Sequence, residues 1–205
     1  MRLPEAPAVQ SPPRQNALNT TVAQSHSLSD AQLNNLKFLS RLGITPLKLR
    51  NFGEQTAAKP SQISELRRDS EGKYYFDPTE GTTTPKPYGV FLFVVKAKEP
   101  YRILAAPPYG SETAEDQFKV QGHTSISLGE DVLYAGYFTL NAKRELEKWS
   151  NGSGHYLPPA SLHQTNLLPE LQSLLPSSLF VDHWSMNKEE RNRDLAARGY
   201  FIPIS

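Results

Sequence analysis

Residues 90–105 read VFLFVVKAKEPYRILA, and this stretch decides the fold. Residues 90–95 form a continuous apolar run of strand length, which is typical of a strand buried on both faces of a sheet. Glu99 and Pro100 interrupt the chain, and residues 101–105 then follow as the hairpin partner of the first strand. We therefore predict an antiparallel pair at the centre of a sheet.

Further strands are predicted on both sides of this hairpin. Residues 63–68 fit either a short helix or a strand, whereas residues 74–76, 125–128 and 132–140 have strand patterns, the last of them broken by Gly136. Strands that follow one another with few helices between them indicate an antiparallel sheet.

Two helical patterns flank these strands in the sequence. Ser29 and Gln32 form a capping box at the start of an amphipathic segment that Gly43 ends. Residues 162–175 carry an apolar stripe, and Pro169 is tolerated there if it opens a second helical piece. The first helix fits two roles, packing on the domain or binding a secretion chaperone.

A third helix is predicted near the end of the chain, where Asn187 and Glu190 form another capping box and Gly199 is the matching stop. The predicted fold class is therefore α+β, an antiparallel sheet flanked by helices. Residues 1–27 are rich in Pro, Ser, Gln, Asn and Thr, which predicts a disordered N-terminal segment and a candidate secretion signal. Residues 28–205 are expected to form one domain.

Composition excludes several classes of protein. The 205 residues contain no cysteine, so disulfides and thiolate metal sites are excluded. Lys and Arg number 22 against 21 Asp and Glu, and a nucleic-acid binder would show a basic excess. No apolar stretch approaches the roughly 20 residues of a membrane helix. We expect no nucleic-acid partner, no membrane span and no metal.

Two short segments, residues 122–125 and 152–158, are the candidates for a functional site. The first contains His123, Thr124 and Ser125, and the second packs glycines and small polar residues around His155 and Tyr156. Glycines let a backbone approach a partner closely, and histidine and tyrosine add hydrogen bonding and a π-face. Ser153, Gly154 and His155, with Thr124 and Ser125, are the predicted ligand contacts.

A structural explanation of the same residues stays open. Residues 151–154, Asn-Gly-Ser-Gly, also make a good turn, Tyr156 is equally suited to fill the core, and His123 can be a satisfied core histidine. The histidines lack metal-ligand spacing, and no G-x-S-x-G elbow supports a Ser-His-Asp hydrolase. No phosphate-binding glycine loop is present.

Residues 74 to about 175 resemble a module of the plant calmodulin-binding IQ-motif protein family and of a set of bacterial toxin and type III effector proteins. The elements that carry the resemblance are the run 123–125, Gly129, the Ala135-Gly136 dipeptide and the SGHYLP sequence at 153–158. No IQ motif is present, so calmodulin binding does not carry over. The disordered start and the short layout are similar to the effector side of the resemblance.

The resemblance implies a virulence effector that is secreted into the host cell cytoplasm. By analogy with NAD-dependent ADP-ribosyltransferases, His123 and Tyr156 would bind NAD, and a carboxylate would stabilise the oxocarbenium-like state. Three residues are the carboxylate candidates: Glu130, Glu147 and Asp182. NAD as substrate is thus the cofactor expectation, and a host protein is the expected partner.

A non-catalytic module that binds a host protein is the alternative. A buried Tyr156 whose hydroxyl is satisfied by backbone, with no open cleft beside His123, would favour it. A pocket shared by His123, His155 and Tyr156 with a carboxylate in reach would favour an enzyme.

Overall fold

A computed structural model describes residues 27–50 and 55–197. Seven strands lie in one sheet: β1 Ser64–Arg68, β2 Tyr74–Pro78, β3 Gly89–Lys96, β4 Leu104–Ala106, β5 Val132–Leu140, β6 Leu146–Ser150 and β7 Phe180–Val181. The α-helices of this part of the chain are α1 Asp30–Arg41, α2 His123–Ser127, α3 Leu162–Thr165, α4 Pro169–Leu174 and α5 Lys188–Ala197.

The strands run in the order β2-β1-β4-β3-β5-β6-β7. Every neighbouring pair is antiparallel except β6 and β7, which are parallel. The central position of β3, between β4 and β5, agrees with the continuous apolar run at residues 90–95. The α+β prediction is confirmed, with a single parallel pair at one edge of the sheet.

Both faces of the sheet are covered. On one face, Phe91, Phe93 and Trp149 pack with side chains of α1, α3 and α4. On the other, Leu92 and Val94 pack with Ile126 of α2. Burial of these two apolar layers is the main stabilising contribution to the fold.

Helix boundaries follow the local capping signals. The Ser29 hydroxyl accepts from Gln32 N at 3.2 Å, and the Gln32 side chain accepts from Ser29 N at 3.0 Å. The predicted capping box is therefore confirmed. Leu39 is the buried residue of α1 and packs in the core cluster on this face of the sheet. Pro169 opens α4 as a second helical piece.

The capping box at Asn187 and Glu190 is also confirmed, by hydrogen bonds of 3.1 Å and 2.9 Å. The predicted stop at Gly199 lies outside the described residues, and so does the predicted tail up to residue 26.

Two strand predictions need correction, and one strand beside the site was not predicted. Residues 125–128 are not a strand, because His123–Ser127 is α2 and Leu128 ends it with a φ of 58°. A short apolar run fits helix and strand alike, and packing on the sheet decides between them here. Gly136 does not break β5, which is continuous. The unpredicted β6 precedes the second segment, and Ser150 is its last residue.

Candidate functional site

The first predicted segment lies at the start of α2 and is tied to Gln55. A Cβ on Gly122 would come within 2.3 Å of Gln55 Nε2, so the side-chain amide rests on the glycine. Thr124 donates to Gln55 Oε1 from its backbone N–H at 3.2 Å and from its hydroxyl at 2.6 Å. The amide oxygen of Gln55 is thus the acceptor of both hydrogen bonds, and the NH₂ group takes part in neither.

His123 joins α2 to the middle of the sheet. Its side chain is buried, and its Nε2 lies 2.7 Å from the Gly136 carbonyl oxygen. Because a carbonyl only accepts, Nε2 carries the proton and donates it. Gly136 is required because a Cβ there would stand 1.7 Å from the Ser150 carbonyl oxygen.

The two candidate serines lie in the interior. Ser125 and Ser153 are fully buried, and neither hydroxyl has a hydrogen-bond partner among the described residues. Their backbones are engaged, since Ser125 O accepts from Ala58 N at 3.0 Å and Ser153 O accepts from Leu157 N at 2.8 Å. Both were predicted as ligand contacts, and both are enclosed by protein.

Asn151 organises the second segment, which begins where β6 ends. Its Nδ2 donates to Pro158 O at 3.0 Å and to Asp182 Oδ1 at 2.8 Å, and its Oδ1 accepts from His183 N at 2.8 Å. Its carbonyl accepts from Trp184 Nε1 at 3.2 Å. A single buried amide therefore holds the loop against residues 182–184.

The two glycines of the second segment differ in their surroundings. A Cβ on Gly152 would come 2.5 Å from Tyr137 Cε1 and 3.2 Å from His183 Cγ, so close packing requires the glycine. Gly154 is exposed, and a Cβ there would meet nothing within 4 Å. Gly154 is therefore a position where a side chain can be added without a clash.

Tyr156 fills the core beneath α2. Its ring is 1% exposed, and its hydroxyl donates to Glu130 O at 2.7 Å. Since the single phenolic proton is used there, the Ser127 hydroxyl donates to Tyr156 at 2.6 Å. Burial raises the pKa of Tyr156, and the hydrogen bond from Ser127 lowers that pKa by a smaller amount. The phenol stays protonated at neutral pH.

The three candidate carboxylates lie in different parts of the chain, and each has its own surroundings. Glu130 lies 3.4 Å from Lys98 Nζ and 3.8 Å from Lys96 Nζ. Glu147 is exposed on β6. Asp182 Oδ1 is occupied by Asn151 and by the backbone N–H of Trp184 at 3.2 Å.

A cleft of about 230 Å³ opens between the two predicted segments, and we call it the histidine cleft. Its polar lining side chains are Gln55, Gln121, His123, His155, His183 and Trp184. Gly122, Gly152, Gly154 and the apolar Leu195 of α5 complete the walls. The cleft brings His123, Gly154 and His155 together, whereas Tyr156, Glu130, Glu147 and Asp182 are not among its described lining residues.

His183 lines the cleft, although it was not among the predicted site residues. It is 4% exposed, and its ring stands edge-on to Tyr137 and Trp184, with centroid distances of 5.9 Å and 4.9 Å. Its Nδ1 faces Asp194 Oδ2 at 3.5 Å, and Lys148 Nζ pairs with the other oxygen of Asp194 at 2.8 Å. Nδ1 makes no hydrogen bond to a described residue at this distance, so either ring nitrogen can hold the imidazole proton.

Sequence reasoning missed Gln55, Gln121 and His183 as cleft residues. No local pattern marks them: Gln55 and His183 reach the cleft from segments far from residues 122–125 and 152–158, and Gln121, which directly precedes Gly122, belongs to no motif. His183 was considered only as a metal ligand, and the described residues include no group of three or more His, Cys, Asp or Glu placed to hold a metal ion.

None of the helices described is both long and apolar enough to cross a membrane. Comparison with known proteins gives no match, since no family model, no curated protein and no solved structure is significantly similar to this chain.

Proposed function

We propose that this protein is a secreted effector module that binds a host protein through the histidine cleft and does not turn over NAD. Its setting in the host cell cytoplasm rests on the resemblance carried by residues 123–158. Host-protein binding rests on the geometry of the cleft.

The burial and hydrogen bonding of Tyr156 are the main support for the proposal. An ADP-ribosyltransferase of the kind considered needs a tyrosine face against the nicotinamide. Here the ring is 1% exposed, and its hydroxyl is satisfied by the Glu130 carbonyl and by Ser127. Opening this site would break two hydrogen bonds and expose a large apolar surface. These contacts support a structural role for Tyr156.

The size and lining of the histidine cleft support binding of a small group. At about 230 Å³ it is smaller than the roughly 300–1,000 Å³ typical of pockets for drug-sized ligands, and NAD is larger than most such ligands. Its described lining residues include no Asp or Glu and no hydroxyl or thiol nucleophile. A single side chain of a partner protein fits this volume.

Filling the cleft tests the proposal. Gly154→Trp adds an indole at an exposed position with no atom within 4 Å of the new Cβ, so the variant should fold and block the cleft. Thr82→Trp adds the same side chain to an exposed loop between β2 and β3 and is the matched control. Both variants and the wild type are compared for proteins retained from host-cell lysate.

The proposal predicts a partner that the wild type and Thr82→Trp retain and Gly154→Trp loses. Retention of the same proteins by all three would contradict binding through the cleft. Thermal unfolding of each variant verifies that loss of binding does not reflect loss of fold.

A further inference from the structure

The two glutamines of the histidine cleft are held in a defined orientation. Gln121 Oε1 accepts from Thr56 N at 2.6 Å, and Gln55 Oε1 accepts from the backbone N–H and the hydroxyl of Thr124. A backbone N–H can only donate, so the atom facing it must be the amide oxygen. In both side chains the NH₂ group is therefore the end left for a ligand.

Neither NH₂ group donates to another residue in the described part of the chain. Each carries two N–H groups. Both glutamines line the cleft, where the described residues include no carboxylate to accept from them. Gln121 is exposed and Gln55 is half-buried, so these N–H groups are open to solvent and to an accepting ligand.

His183 supplies a further polar group at the same place. It is 4% exposed and lines the cleft, and its Nδ1 lies 3.5 Å from Asp194 Oδ2 without a hydrogen bond to a described residue. The charged groups around it are Asp194 behind Nδ1, Lys148 paired with Asp194, and Asp182, which Asn151 engages. When Nε2 holds the imidazole proton, it adds a third hydrogen-bond donor to the two amides.

We propose that the histidine cleft binds one anionic oxygen group, a carboxylate or a phosphate, through the NH₂ groups of Gln55 and Gln121, with His183 as the third contact. An acidic or phosphorylated side chain has this chemistry and matches the cleft volume of about 230 Å³. The inference rests on the proposed function in that the anionic group is carried by the protein partner.

Side-chain amide resonances of Gln55 and Gln121 test the inference directly. Inorganic phosphate and acetate are titrated separately into ¹⁵N-labelled full-length protein, and the NH₂ shifts are followed by NMR. Gln55→Glu and Gln121→Glu each keep the accepting oxygen while replacing the NH₂ donor with a second carboxylate oxygen. Gln32→Glu is the matched control, because its Oε1 accepts from Ser29 N in the capping box of α1, where glutamate serves equally well.

The inference predicts saturable shifts of both NH₂ groups with at least one of the two anions. It also predicts affinity about tenfold weaker in Gln55→Glu and Gln121→Glu and unchanged in Gln32→Glu, because a charge-assisted hydrogen bond contributes at least about 1.4 kcal/mol. The anion that binds more tightly identifies the group as phosphate or carboxylate.

Absence of saturable shifts with both anions overturns the inference, and so does binding that both cleft variants retain unchanged. This failure is distinct from failure of the proposed function. If neither anion binds but Gly154→Trp still loses the partner, the cleft binds a partner without an anionic group. If an anion binds but Gly154→Trp keeps the partner, the anion site stands and the proposed function fails.

Discussion

The Tyr156 hydroxyl connects three parts of the chain at the residue scale. It donates to Glu130 O and accepts from Ser127, and Gly129 N donates in turn to the Ser127 hydroxyl at 3.3 Å. The chain from the end of α2 to the start of β5 is thereby fixed to the loop that follows β6. A buried network of this kind is costly to interrupt, because each remaining partner loses its hydrogen bond without gaining water.

Tyr156→Phe tests this role with a minimal change. Removing the hydroxyl leaves Glu130 O and the Ser127 hydroxyl without their partner, so we expect a loss of about 1–3 kcal/mol in the free energy of unfolding. Tyr109→Phe is the control. Because Tyr109 is 58% exposed, the free energy of unfolding of this variant should equal that of the wild type. Urea denaturation measures both, and equal stability of the two variants would contradict the structural role of Tyr156.

At the element scale, the approach of β6 to β5 shapes the site. Gly136 of β5 is covered by the Ser150 carbonyl, and the chain then turns through Asn151 into the loop beside His183. The same glycine offers its carbonyl to His123. Three elements, α2, β5 and the loop after β6, are therefore positioned by contacts within a few residues of Gly136.

Gly136→Ala should disrupt this arrangement severely. The added Cβ would stand 1.7 Å from a backbone oxygen that cannot move without shifting β6, and we expect a loss of about 3 kcal/mol or more. Gly154→Ala is the matched control, with a change within about 0.5 kcal/mol because nothing lies near its Cβ. Thermal unfolding compares the two, and a Gly136→Ala protein as stable as the control would disprove the close approach.

Asn151→Ala should loosen the loop rather than the sheet. The substitution removes three side-chain hydrogen bonds, to Pro158, Asp182 and His183, and we expect a loss of about 2–3 kcal/mol. Hydrogen exchange should rise at residues 151–158 and 182–184. Asn35→Ala is the control, because that side chain makes a single hydrogen bond, to Lys98 O at 2.9 Å. Unchanged exchange in both segments would refute the role of Asn151.

At the scale of the whole molecule, the elements that were predicted correctly are those whose pattern lies within a short stretch of sequence. The capping boxes at Ser29 and Asn187 and the apolar run at residues 90–95 depend on neighbours along the chain, and all three were predicted correctly. Residues 123–127 form a helix where a strand was predicted over 125–128, because Ile126 packs on the sheet, a contact with distant residues.

The histidine cleft was predictable only in part, for the same reason. His123 and His155 stood out through their glycine-rich surroundings, whereas Gln55 and His183 enter the cleft from remote segments and Gln121, beside Gly122, belongs to no motif. The orientation of each amide depends on a long-range hydrogen bond, such as Thr56 N to Gln121 Oε1. No pattern within a short window specifies such contacts.

We propose that the histidine cleft binds a partner and does not process NAD. Nicotinamide release and label transfer from NAD in host-cell lysate test this claim most directly, with His123→Gln as the comparison variant that retains a side-chain donor. We expect no release above background from either protein, because Tyr156 is enclosed in the core. Release and transfer by the wild type that are abolished in a folded His123→Gln variant would overturn the proposed function and identify the protein as an ADP-ribosyltransferase.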